Sequence, residues 1–148
     1  MTTVFLALWR NTEQQLLRTL DKIDADNVKK RIKPEMRSLG VVMLHIGEAQ
    51  MFFAKTMFGA ELPPFKPRTS GPNASLEDVT DVDALKAFVK QSCELISTKI
   101  ATVEDRMWDE KVMAPWKEEA PRSVLLGFAM NHTMQHVGQV IQALKYGE

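Results

Sequence analysis

Cysteine is almost missing from this chain, with Cys93 alone among 148 residues. A single thiol forms no internal disulfide, so the fold must rest on a hydrophobic core, and a reducing compartment is expected. An excess of one charge is also missing. Nineteen basic residues balance nineteen acidic ones, and with no basic patch a nucleic-acid partner is not expected. No apolar run approaches the length of a membrane span. The segment 1–10 is apolar only briefly and has neither a basic leader nor a small-residue cleavage site, so it does not read as a signal peptide. These absences point to a cytoplasmic protein with no membrane partner. Internal repeats, low-complexity tracts and convincing strand-period segments are missing too. Histidine is scarce: His45, His132 and His136 are the whole supply.

What is present is helical periodicity. Residues 1–148 suit one domain, long enough to bury a core unaided. A first helix is expected from about Thr3 to Ile23, with Val4, Leu8, Leu16, Leu20 and Ile23 at helical spacing. The basic stretch Lys29–Lys33 reads as a solvated connector. A second helix is expected from Pro34, placed in its first turn, to Phe58, with Gly59 as its C-terminal stop. Pro63, Pro64, Pro67, Gly71 and Pro72 forbid a long helix over about 60–75, which reads as a crossover connection, with a lid over a pocket as the alternative. A third helix follows from near Asp81, with Thr80 or Asp81 as its capping residue, to about Val103. Trp108 and Trp116 are expected to close one end of the core. Pro121 opens a fourth helix that runs to Tyr146, on which Leu125, Phe128, His132, His136, Gln139 and Ala143 share one stripe. The expected architecture is all-α: a four-helix bundle with a long crossover loop between helices 2 and 3.

The chemistry lies in the histidines. The i, i+4 spacing of His132 and His136 puts two imidazoles on one helix face, one turn apart. His45 stands at the edge of an apolar stripe on another helix. Three imidazoles on one divalent ion leave open coordination positions, as at a catalytic metal. Other metal patterns fail. Val42, Ala129 and Thr133 stand three residues before the histidines, where a di-iron bundle needs Glu. Thr133 follows His132, so the metalloprotease pattern is absent. The residues alone leave two readings open, a mononuclear three-histidine site and buried core imidazoles.

A resemblance adds to this. The motif His132-x-x-x-His136-x-Gly138-Gln139, the apolar run ending at Tyr146-Gly147, the stretch Met43–Ala49 and the lead-in Ala114-Pro115-Trp116 resemble the DinB/YfiT-like superfamily of metal-binding four-helix bundles. The likeness covers essentially the whole chain. Gln135 stands where many relatives carry a further histidine, and Val137 where they often carry arginine. The resemblance implies His45, His132 and His136 as ligands of one divalent ion, zinc or nickel. Glu48 is the candidate to orient a ligand or act as a base, and Gln139 to hydrogen-bond an imidazole or bound water. Gly138 is expected to allow close helix approach, and Cys93 to be an inert buried thiol.

Relatives of this kind include thiol-dependent S-transferases and a thiol-dependent isomerase. The implied function is a metal-dependent thiol-S-transferase or hydrolase, with a small-molecule substrate and a low-molecular-weight thiol as partners. The alternative is a non-catalytic metal-binding stress or partner-binding protein. For that role Met51, Phe52, Phe53, Met57 and Phe58 offer a homodimer interface.

Overall fold

The computed structural model describes residues 1–148. Four helices dominate it: α1 (Thr2–Leu20), α2 (Leu39–Phe58), α3 (Val82–Ala101) and α4 (Arg122–Tyr146). A 3-10 turn (Asp105–Asp109) and two antiparallel strands, β1 (Lys111–Met113) and β2 (Glu119–Pro121), lie between α3 and α4. This small hairpin was not expected, because three-residue strands are too short to display an alternating pattern. No helix is long and apolar enough to cross a membrane.

Helix ends follow local chemistry. The Asp81 side chain accepts from Ala84 N–H at 2.9 Å and caps α3. Gly59, at φ 62°, closes α2 in the left-handed conformation that glycine adopts without steric cost. The start of α2 differs from expectation, since Pro34 lies in a turn and the helix begins at Leu39. The cause is backbone pairing with the preceding segment. Leu39 N–H donates to Lys30 C=O and Gly40 N–H to Val28 C=O, each at 2.9 Å. Those carbonyls satisfy amides that an upstream helical turn would have left free. A Cβ on Gly40 would meet the Val28 carbonyl oxygen at 2.8 Å, so this pairing requires glycine. Arg31, from the basic connector, forms an ion pair with Asp78.

The helix directions are read from cross-helix pairs. Gly47 faces Phe88, and Gln50 meets Ser92 and Cys93, so α2 and α3 run parallel. His45 meets His132 and Met57 meets Arg122, so α4 opposes α2. Thr2 meets Val103 and Glu13 meets Ser97, so α1 opposes α3. Helices α1 and α2 each pack on both α3 and α4 and stand diagonally across the bundle. Because α2 and α3 are parallel, the connection 59–81 must return along the bundle. It is the expected crossover.

The core has two apolar clusters. One contains Leu16, Leu20, Met43, Ile46, Val89 and Val140; the other contains Trp9, Phe53, Ile96, Trp108 and Leu125. Each such side chain contributes about 1.5–3 kcal/mol by leaving water. Met51, Phe53 and Met57 are buried inside this core, so they are not available as the subunit interface considered from the sequence. Trp108 is buried as expected, whereas Trp116 is exposed and stacks edge-on against Phe128. Between the clusters lies a buried polar layer. Gln50 Oε1 accepts from Ser92 Oγ at 2.7 Å and from Cys93 Sγ at 3.4 Å, and Gln50 Nε2 donates to Thr133 Oγ1 at 3.3 Å. Burial pushes the Cys93 thiol up to about 12, which makes it a poor nucleophile.

Candidate metal centre

The antiparallel contact of α2 with α4 sets His45 level with the turn between His132 and His136. On α4 the buried row is Leu126, Ala129, Thr133, Val137 and Val140. The two histidines precede Thr133 and Val137 by one residue, which turns them about 100° around the helix. They therefore stand half-buried on the margin of the packed face rather than continuing it, and Phe128 and Gln139 of the expected stripe are exposed. This margin leaves the rings reachable from solvent. Gly138 also departs from expectation: a Cβ there would meet nothing within 4 Å, so it does not serve helix packing.

The three rings converge. Their centroids lie 5.1 Å apart for His45–His132, 4.8 Å for His45–His136 and 4.5 Å for His132–His136. His45 Nε2 and His132 Nε2 are 3.2 Å apart. Two imidazole nitrogens on one tetrahedral zinc, each at about 2.0–2.1 Å, stand about 3.3 Å from each other. One ligand nitrogen from each ring lies within 4.8 Å of the others, so a modest ring adjustment brings all three onto one ion. The donors fit a divalent transition metal.

Two of the three outer ring nitrogens are tied down. His136 Nδ1 lies 2.8 Å from Gln139 Oε1, where it donates and leaves Nε2 free to ligate. His45 Nδ1 lies 3.2 Å from Thr69 Oγ1 and 3.1 Å from Ser70 Oγ. The Thr69 hydroxyl donates to Glu48 Oε2. Because the carboxylate only accepts, Thr69 Oγ1 is left to accept from His45 Nδ1–H. That fixes the His45 tautomer with its Nε2 lone pair directed at the other two rings.

Glu48 thus faces the crossover loop. Buried at 1% exposure, it also accepts from Arg68 N–H at 2.9 Å and Thr69 N–H at 3.0 Å. Its link to the histidines is to His45 alone, through Thr69. Thr69 and Ser70 are the site residues that the sequence did not reveal. The only signal was a buried-side glutamate one turn from His45, opposite a long loop.

Electrostatics keep the site ready for a cation. Burial, followed by the neighbouring His136 and His132 and by Arg37, lowers His45 from 6.5 to about 4. Burial, followed by His136, lowers His132 to about 4. Both rings are therefore neutral at pH 7, the form that binds a metal.

Beside His136 opens a cavity of about 690 Å³. Met36, Arg37, Leu39 and Val42 line one side, and Gln135, Gln139 and Gln142 the other. Neutral nitrogen donors suit zinc or nickel better than hard oxygen-seeking cations.

The model of the DinB family matches residues 1–147. The chain belongs to the DinB family. No curated protein matches it at a significant level of sequence similarity. This DinB protein is similar to a conserved protein from Enterococcus faecalis, with a TM-score of 0.73 at 14% identity over 99% of this chain and 96% of that one. It is similar to a DinB-like protein from Bacillus cereus, with a TM-score of 0.75 at 18% identity over 95% of this chain and 89% of that one. A mycothiol-dependent maleylpyruvate isomerase aligns with a TM-score of 0.72 at 16% identity, over 95% of this chain and 60% of that one. At these identities the likeness is one of fold.

Proposed function

We propose that this protein is a mononuclear metal-dependent enzyme that transfers a low-molecular-weight thiol to an electrophilic small molecule. The observation that carries the reading is a histidine triad with two of its three outer nitrogens tethered, whose member His136 lines a 690 Å³ cavity. His45, His132 and His136 hold one divalent ion, zinc or nickel. When bound, the ion supplies Lewis acidity that favours the deprotonated form of a thiol or water next to it.

The chain's own residues supply placement. Gln139 and the Glu48–Thr69 pair hold two imidazoles in the ligating tautomer. Met36, Leu39 and Val42 give the cavity an apolar wall for the carbon skeleton of the electrophile. In the reaction the thiolate sulfur forms a bond to that carbon, the leaving group departs with its electron pair, and the thiol proton passes to solvent. The same site with water in place of thiol is a hydrolase. The mycothiol dependence named for the structurally similar isomerase favours the thiol.

The test uses protein loaded with zinc or nickel, a panel of small thiols and a chlorinated aromatic electrophile. Thiol-dependent release of chloride that is abolished by chelation and by His132→Ala supports the reading. Turnover indifferent to both sinks it. Metal uptake with no turnover of thiol or ester substrates leaves the protein as a non-catalytic metal binder.

A further inference from the structure

Arg37 is the only residue with a fixed charge on the cavity wall beside His136. It is half-buried, and none of the chain's ion pairs involves it. Its one polar contact is Nη2 donating to Thr69 C=O at 2.8 Å. A guanidinium has five N–H donors in a planar fork, so most of them remain for a ligand. Placing a cation partly out of water without a counter-charge is unfavourable, and a bound anion removes that cost. The surrounding groups add selectivity. The Gln135, Gln139 and Gln142 amides are neutral, and Met36, Leu39 and Val42 are apolar, so the cavity offers one positive charge in a mixed apolar and amide wall. The fork suits carboxylate and phosphate geometry alike, but its single charge balances a monoanion and leaves a dianionic phosphate half-compensated.

We propose that Arg37 binds a carboxylate on the small molecule that occupies this cavity, and so selects carboxylate-bearing substrates. The inference rests on the cavity being the substrate site of the proposed enzyme. Arg37 bridges two parts of that site. Through Thr69 C=O it is joined to the loop that carries the hydrogen-bond partner of His45, and through the cavity it faces His136. A ligand carboxylate on Arg37 leaves the rest of the molecule to extend along the apolar wall toward the triad. The carboxylate belongs either to the electrophile or to the thiol.

The first arm is binding to metal-free protein, so that its result is independent of metal loading and turnover. Backbone amide shifts are followed by NMR during titration with hexanoate, hexanamide and inorganic phosphate, in wild type, Arg37→Met and Arg37→Lys. Hexanoate should perturb residues 36–42 and 135–142. It should bind at least about tenfold more tightly than hexanamide, a difference near 1.4 kcal/mol. Arg37→Met should erase that preference, and Arg37→Lys should restore part of it, with thermal midpoints confirming that both variants fold. Equal binding of hexanoate and hexanamide overturns the proposal, as does a preference that survives Arg37→Met, or tighter binding of phosphate than of hexanoate.

The second arm uses zinc-loaded protein with 3-mercaptopropionate against 2-mercaptoethanol, and with electrophiles that carry or lack a carboxylate. A rise of about tenfold or more in KM for only one carboxylate-bearing reactant in Arg37→Met, with kcat little changed, assigns the carboxylate to that reactant. An active protein whose KM values all ignore Arg37→Met overturns the proposal. Absence of turnover beside an Arg37-dependent hexanoate preference rejects the enzyme reading and leaves the anion site standing.

Discussion

His45 Nε2 stands 3.2 Å from His132 Nε2, although 87 residues separate them along the chain. Two neutral imidazoles on helices running in opposite directions thus have the separation of two nitrogen ligands on one tetrahedral ion. Purified protein is expected to bind about one zinc or nickel ion per chain, and His45→Ala, His132→Ala and His136→Ala should each lose most of it in elemental analysis. Because binding to the folded state alone adds stability, free zinc at a thousand times its dissociation constant should stabilise the wild type by about 4 kcal/mol in denaturant titration. Zinc that leaves the unfolding midpoint unmoved argues against the site.

Glu48 reaches His45 only through Thr69, so its removal should affect the metal without touching it. Glu48→Gln keeps the volume but turns one acceptor into a donor against the Thr69 N–H and hydroxyl. Metal affinity should fall about 10–100-fold, and the metal-free protein should lose about 1–3 kcal/mol from the unpaired loop amides. Thr69→Val should reproduce the loss of affinity. If Glu48→Gln is destabilised but binds metal as tightly as wild type, the carboxylate only anchors the loop.

The lowered histidines make the metal-free protein sensitive to acid. In the unfolded chain His45 and His132 take up protons around 6.5, whereas in the folded chain burial holds both near 4. Between those values the unfolded state binds more protons, so stability is full above about pH 6.5 and is lost as pH falls toward 4. Denaturant midpoints of metal-free protein at pH 7.5 and 4.5 should therefore diverge. The gap should narrow in His45→Gln/His132→Gln. A gap unaltered in that variant would locate the acid sensitivity elsewhere.

Gln50 bridges α2, α3 and α4 in the polar layer between the two apolar clusters. Gln50→Ala strands Ser92, Cys93 and Thr133 and opens a void, with an expected loss on the order of 2–4 kcal/mol in chemical denaturation. In the wild type Cys93 should resist thiol reagents until the protein unfolds, since it is buried and its thiol is pushed up to about 12. Rapid labelling under native conditions would contradict that burial.

Much of this was legible in the sequence. The four helices follow from apolar periodicity, and the prolines between 63 and 72 fixed the place of the crossover. The i, i+4 spacing of His132 and His136 predicts a shared helix face from the 3.6-residue turn alone. Boundaries set by partners distant in sequence were less legible. Leu39, not Pro34, opens α2 because Val28 and Lys30 carbonyls occupy its first amides. The small hairpin escaped notice because its strands are three residues long.

Local physics acts over one or two helical turns, so the sequence by itself determined that there are four helices and roughly where, which two histidines share a helix face and where the chain must cross back. Only the tertiary structure decided that α2 and α3 run parallel. That direction sends the crossover loop along α2, where buried Glu48 fixes Thr69 against His45. It likewise decided that the histidines stand on an open margin beside Arg37. Such placements depend on the register and rotation of whole helices, which are set by the fit of both core clusters together and are written in no single stretch of chain.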